Sequence, residues 1–179
     1  HVQSATIRQF LLEKSRAVKV PEAERNFHIF YQIFFADSQQ FELELAGRAP
    51  QDFHFLEKTD FSPNDSENFQ RTFDAMKIMG FTMEEISNIF KVLSGLLHLG
   101  NLSFHSLESK SGIEISPNSP ISIAAFLFAM LLYSRLFEYI ITRLNQSLSA
   151  TSTRSSPPKM IGLLDLYGFE SFDKNGIEQ

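Results

Sequence analysis

The 179 residues include no cysteine and no tryptophan. Without cysteine there is no disulfide framework and no zinc–thiolate centre, and the composition fits a reducing compartment. Basic blocks are missing too. Sixteen Lys and Arg stand against 21 Asp and Glu, a net charge of −5. That argues against a nucleic-acid footprint, while an acidic filament held through a local basic loop stays compatible with it. The opening His1-Val2-Gln3-Ser4 has neither the basic nor the apolar region of a signal peptide. No methionine precedes it, so the chain is expected to begin within a domain. The longest apolar run, Ile121 to Tyr133 broken by Ser122, falls short of the roughly 18–20 residues that span a bilayer, and Arg135 follows closely. A buried helix without membrane insertion is the expectation. No H-E-x-x-H or paired-histidine spacing occurs. His28 and His98, set among aromatics and leucines, read as satisfied core histidines.

What the chain has in quantity is phenylalanine, 19 of them. Each buried ring contributes roughly 1.5–3 kcal/mol, so the content asks for a large aromatic core, or for surface that a neighbour should cover. Periodicity predicts five helices. The first covers 5–18, with Ile7, Phe10 and Leu11 near helical spacing and Pro21 ending it. The second runs from Glu22 through Phe27, Phe30, Tyr31 and Phe34. Residues 36–64 read as loop and short helix. The third helix spans Asp65 to Met79 with Gly80 at C′. The fourth begins at a T-x-x-E capping box, Thr82 and Glu85, and stops at Gly100-Asn101. A polar loop over 102–120 leads to a long fifth helix, Ile121 to Ser149. A Ser/Thr/Pro-rich stretch, 150–158, then precedes Met160-Ile161-Gly162-Leu163-Leu164, which reads as a buried strand with Asp165 at its C-terminal end. Arg16 and Arg25, beside apolar helix faces, read as structural ion-pair partners. Glu84 and Glu85 read as helix-start residues rather than acid–base catalysts. Three Asn-x-Ser/Thr matches, at Asn64, Asn101 and Asn145, read as chance.

The end of the chain carries the chemistry. Ligands of open α/β sheets bind at the C-terminal ends of strands. There Asp165 can hold Mg²⁺ directly or through water, the Gly168 N–H can approach a phosphate, and Glu170 can pair with an arginine on a facing loop. Taken alone, Asp and Gly at such a junction are better read as an ordinary turn.

Ile161-Gly162-Leu163-Leu164-Asp165-Leu166-Tyr167-Gly168-Phe169-Glu170-Ser171-Phe172 resembles the switch II strand and loop of the myosin motor head. Asn175 with Glu178-Gln179 resembles the N-x-x-E-Q that opens that head's relay helix. Four earlier stretches agree in order: Phe10 to Arg16, Glu24 to Gln32, Ile89 to Asn101, and Leu132 to Ile141. The wording of Leu163 to Phe172 leans toward class XIX. The resemblance implies an α-rich α/β fold: the helical part of a P-loop NTPase-type head with one central-sheet strand near 160–165. It divides the chain into a helical region 1–149, a surface loop 150–158, strand plus switch II 159–172, and the start of the relay helix 173–179.

It also implies an actin-based motor that binds and hydrolyses ATP with Mg²⁺, in the cytoplasm, on the actin cytoskeleton, within a myosin complex. Calmodulin-like light chains would bind through a neck. Asp165 would be the cofactor-side carboxylate, reaching Mg²⁺ through water. The Gly168 N–H would touch the γ-phosphate, and Glu170 would pair with an arginine and help place the attacking water. Phosphoryl transfer asks mostly for such positioning and electrostatics. In the family the 102–120 loop would be a secondary actin contact, although here Lys110 leaves it not notably basic.

The chain departs from the family in three ways. It has no G-x-x-x-x-G-K-[ST] loop and no N-x-x-S-S-R-F-G stretch to supply the arginine facing Glu170. The link from Asn101 to Leu132 is short by several tens of residues. A second reading is therefore a truncated or misspliced product, inactive alone. A third is an interaction module that reuses the helices.

Overall fold

The computed structural model describes residues 4–21, 24–56, 59–102, 120–149 and 160–165. Helix α1 spans Ile29–Gln32 and tightens into a 3₁₀ turn over Ile33–Phe35. Helix α2 is Asp65–Ile78, α3 is Met83–Gly100 and α4 is Pro120–Leu148. Further 3₁₀ turns lie at Lys14–Ala17 and Pro50–Asp52.

The core is aromatic. Phe90 of α3 is fully buried, 5.2 Å from the Phe41 ring and 5.7 Å from Phe69 of α2. Tyr133 of α4 stacks on Phe27 at 4.7 Å and leans on Phe30 at 5.5 Å. Burial pushes the Tyr133 phenol well above its usual range, because the phenolate would lose its hydration. Helix α3 owes its buried face to Ile86, Ile89, Phe90, Leu93 and Leu97, as the 3.6-residue period requires. At its end Gly100 lies against Phe55, where a Cβ would meet the ring at 2.8 Å, so no larger residue fits there without displacing the ring.

The α2–α3 corner forms as its sequence dictates. Gly80 takes φ +80°, the left-handed conformation that closes α2. Thr82 Oγ1 accepts from the Glu85 N–H at 3.1 Å, and Glu85 Oε2 accepts from the Thr82 N–H at 2.7 Å. The same carboxylate ties this corner to α4. Arg143 Nε donates to Glu85 Oε1 at 2.8 Å, and the Tyr139 hydroxyl donates to it at 3.2 Å. Arg143 Nη2 also donates to the Gly80 carbonyl at 2.5 Å. Chiefly through Arg143, and also through the Thr82 N–H, the Glu85 carboxyl is held at about 2, against an ordinary 4.5. A folded-state value below the unfolded one means stability that is present above the ordinary value and lost as pH falls from 4.5 towards about 2. Glutamine keeps the cap but loses the charge. Thermal melts should therefore place Glu85→Gln below the parent at pH 7, with the gap closing near pH 2; a gap independent of pH would refute the ionic role.

Several expectations need correction. Residues 5–18 are not a helix. They run irregularly except for the Lys14–Ala17 turn, and Phe10 and Leu11 stand largely in solvent. No described residue covers that apolar stripe, and an isolated helix of this length is marginal in water. The segment instead hydrogen-bonds to the end of α4. The Ala5 N–H donates to the Leu148 carbonyl at 3.2 Å, and Ile7 exchanges backbone bonds with the Asn145 side chain at 2.7 and 2.9 Å.

The helix expected from Glu22 starts only at Ile29. Asn26 captures the local backbone, its Oδ1 accepting from the Phe27 N–H at 2.7 Å; asparagine side chains compete with helix in this way. His28 is exposed rather than a core residue. His98 is partly buried, beside the Phe53 ring with its Nε2 3.1 Å from the Glu44 carbonyl. The Ile121–Tyr133 run is helical as expected but only half covered. Ala129 and Tyr133 are buried, while Leu127, Phe128 and Leu131 are more than half exposed.

Candidate nucleotide-switch site

Residues 160–165 follow no regular element, and among the described residues there is no strand. The expected buried strand over 160–164 is therefore not formed. Ile161 is 93% exposed and Leu163 97%. Strands gain stability from paired neighbours on both edges and covered faces, and no described segment supplies either.

Asp165, the first of the expected site residues, closes this exposed run and is itself exposed. Gly168 and Glu170 lie outside the described residues, as do the relay-helix residues 173–179, the loop 150–158 and Lys110. Among the described residues no group of three or more His, Asp or Glu side chains is placed to hold a metal ion. Mg²⁺ takes near-octahedral oxygen coordination and usually relies on one or two carboxylates plus phosphates and water. Asp165 alone is one such donor, so the described part of the chain does not by itself fit Mg²⁺ and ATP.

Among the described residues a buried polar constellation lies elsewhere and is structural. Arg25 Nη2 donates to Asp65 Oδ2 at 2.6 Å, and its guanidinium lies 3.9 Å over the Tyr31 ring. Asp65 is 2% exposed and also accepts from the Ser62 N–H at 2.7 Å. Arg16 pairs with Glu13 at 2.6 Å and Glu24 at 2.7 Å. Both arginines thus take the ion-pair role expected of them.

Two residues without an expected role prove central. Asn26, 1% exposed, donates to the carbonyls of Ala17 and Phe55 at 3.1 and 3.2 Å. Its backbone N–H donates to the Tyr31 hydroxyl at 3.2 Å. Asn101 accepts from the His54 N–H at 2.7 Å and donates to the Asp52 carbonyl at 2.6 Å. For Asn26 the only local sequence signal is an asparagine between a charged stretch ending at Arg25 and the aromatic run that begins at Phe27. For Asn101 it is a helix stop, which gives no hint of the bonds to residues 52 and 54.

Comparison with known proteins gives one family. The profile of the myosin head (motor domain) matches residues 1–132 and again 119–179. Myosin IC heavy chain of Acanthamoeba castellanii is 33% identical over 210 aligned positions, covering 97% of this chain and 18% of that protein. Unconventional myosin-XIX of Xenopus laevis is 34% identical over 232 positions, covering 99% and 22%. Myosin ID heavy chain of Dictyostelium discoideum is 31% identical over 228 positions, covering 99% and 20%. The chain thus spans about a fifth of the length of these curated relatives.

Proposed function

Since the chain belongs to the myosin head family of actin-based motors, we propose that it contributes the helical scaffold and the phosphate-responsive switch of a motor that hydrolyses ATP on actin filaments. The observation that carries this reading is the exposed run Met160–Leu164, which leads straight into Asp165 and the Gly168–Glu170 motif. An apolar segment of strand composition left in water asks for a sheet to join, and a strand end bearing Asp and then Gly would suit a phosphate site once that sheet is present. In this reading Asp165 would hold Mg²⁺ through water, the Gly168 N–H would meet the terminal phosphate, and Glu170 would pair with an arginine on a neighbouring loop. ATP and Mg²⁺ are then the ligands, and the actin cytoskeleton of the cytoplasm is the place of work. Light chains would join through a neck beyond these residues.

The same logic favours a second statement, that these 179 residues alone do not turn over ATP. They contain neither the glycine-rich lysine loop that cradles phosphates nor the arginine-bearing stretch that would face Glu170.

The role of the motif is tested in a motor head carrying these residues together with a phosphate loop and an arginine loop. Glu170→Ala should lower Mg·ATP hydrolysis by about 10²-fold, the usual effect of removing a positioned electrostatic group. Gly168→Ala should do likewise, because a Cβ would stand between backbone and phosphate. Variants that hydrolyse ATP at the parent rate would refute the assignment.

A further inference from the structure

Helix α4 has two different outer faces. Its inner side is continuous: Phe126, Ala129, Tyr133, Leu136, Ile140 and Leu144 all pack on the core. On the outer side Ile123, Leu127 and Leu131 recur four residues apart, one above the other, with Phe128 beside them. They are 49%, 59%, 51% and 52% exposed in that order. Past Leu131 the exposed positions turn polar, with Arg135, Glu138, Thr142 and Gln146. From Pro120 to Ser134 there is no charged residue at all. Solvent-facing helix surface is normally polar along its length, so the first half of α4 has the outer face of a covered helix and the second half that of an uncovered one.

The family comparison breaks at the same place. The profile matches residues 1–132 and then restarts at 119, so its two matches overlap inside α4. The pairwise alignments run to 210 and 232 positions for a chain of 179 residues. The relatives therefore carry several tens of residues that have no counterpart here. The outer face changes character where the first match ends.

We propose that the Ile123–Leu127–Phe128–Leu131 face is the seat of that additional segment. This chain then presents an open apolar helix face that takes that segment when it is supplied from another polypeptide, the uncharged face asking for an apolar side on its occupant. The proposal rests on family membership and not on the nucleotide chemistry proposed above. A second copy of this chain is the weaker candidate occupant, because its other exposed apolar residues are dispersed, with Ile78 at the end of α2, Met83 and Val92 on α3, and Met160, Ile161 and Leu163 in an irregular segment. A bilayer is also weaker. The stretch Ile123–Leu148 is long and apolar enough to cross one, but its second half carries Arg135, Glu138 and Arg143 and is clamped to α3 through Glu85.

The test is an anisotropy titration of the full 179-residue chain with a fluorescent synthetic peptide. The peptide copies the segment of Xenopus laevis myosin-XIX that has no counterpart in this chain. The expected result is saturable binding that weakens at least tenfold in the Leu127→Asp/Leu131→Asp variant, whose substitutions at exposed positions should leave the helical circular dichroism unchanged. No saturable binding, or equal binding to both chains, overturns the proposal. So does sedimentation showing a parent dimer that the variant lacks, which would assign the face to a second copy. Parent-only binding to phosphatidylcholine vesicles, without peptide binding, assigns it to lipid and overturns the proposal as well.

Discussion

Asp65→Ala is expected to destabilise the chain by about 3 kcal/mol, the lower end of the cost of breaking a buried ion pair. The carboxylate is almost wholly buried and accepts from Arg25 through both terminal nitrogens, at 2.6 and 3.3 Å. Removing it leaves the guanidinium over the Tyr31 ring without a counter-charge and the Ser62 N–H without its acceptor. The Arg25 side chain is still 25% exposed, so water recovers part of its solvation; this places the effect at the low end. Exposed pairs such as Arg71 with Glu67, 72% and 65% exposed, should be worth under about 1 kcal/mol. In a chain of this size about 3 kcal/mol corresponds to a melting shift of roughly 6–12 °C. Urea unfolding of Asp65→Ala beside Glu67→Ala checks this directly, and comparable losses in the two would show that burial does not set the value of these pairs.

Phe90→Ala should cost about as much or more, roughly 3–5 kcal/mol. The ring is fully buried between Phe41 and Phe69, and Phe69 in turn stacks on Phe73 at 6.0 Å. Rigid rings on two sides close poorly over a void, which is the condition for a large cavity penalty. Total stabilities of roughly 5–15 kcal/mol are usual, so a sizeable unfolded fraction at 37 °C is expected. Leu127→Ala, at an exposed position of α4, is the control and should change the urea midpoint little. A Phe90→Ala chain with the parent midpoint would show that the aromatic cluster is looser than its geometry indicates.

The contrast between these sites also marks what a sequence can show. Helices α2, α3 and α4 are legible because each carries its own local signal. Gly80 sits where only a left-handed residue closes α2, Thr82 and Glu85 cap each other across one turn, and the stripe of α3 repeats at helical spacing. Such signals depend on near neighbours alone.

Residues whose fate depends on distant partners are not legible in this way. Phe10 and Leu11 read as part of a helical pattern but have no described residue to bury against, and their segment hydrogen-bonds along α4 instead. Asn26 reaches the Phe55 carbonyl, 29 residues away, and its short-range bonds replace the first turns of the expected second helix. Met160 to Leu164 have strand composition, but a strand exists only with its neighbours. The family motif at Asp165 is legible from its wording, not from periodicity, and the comparisons confirm the myosin head family it points to. The roles of Asp165, Gly168 and Glu170 remain part of the proposal.

The central claim is that the motif from Asp165 to Glu170 becomes a phosphate switch only when a sheet, a phosphate loop and a facing arginine surround it. Equilibrium titration of the 179-residue chain with a fluorescent ATP analogue and Mg²⁺ tests it most directly. The account predicts no saturable signal at micromolar concentrations. Saturable micromolar binding by the chain alone would contradict it.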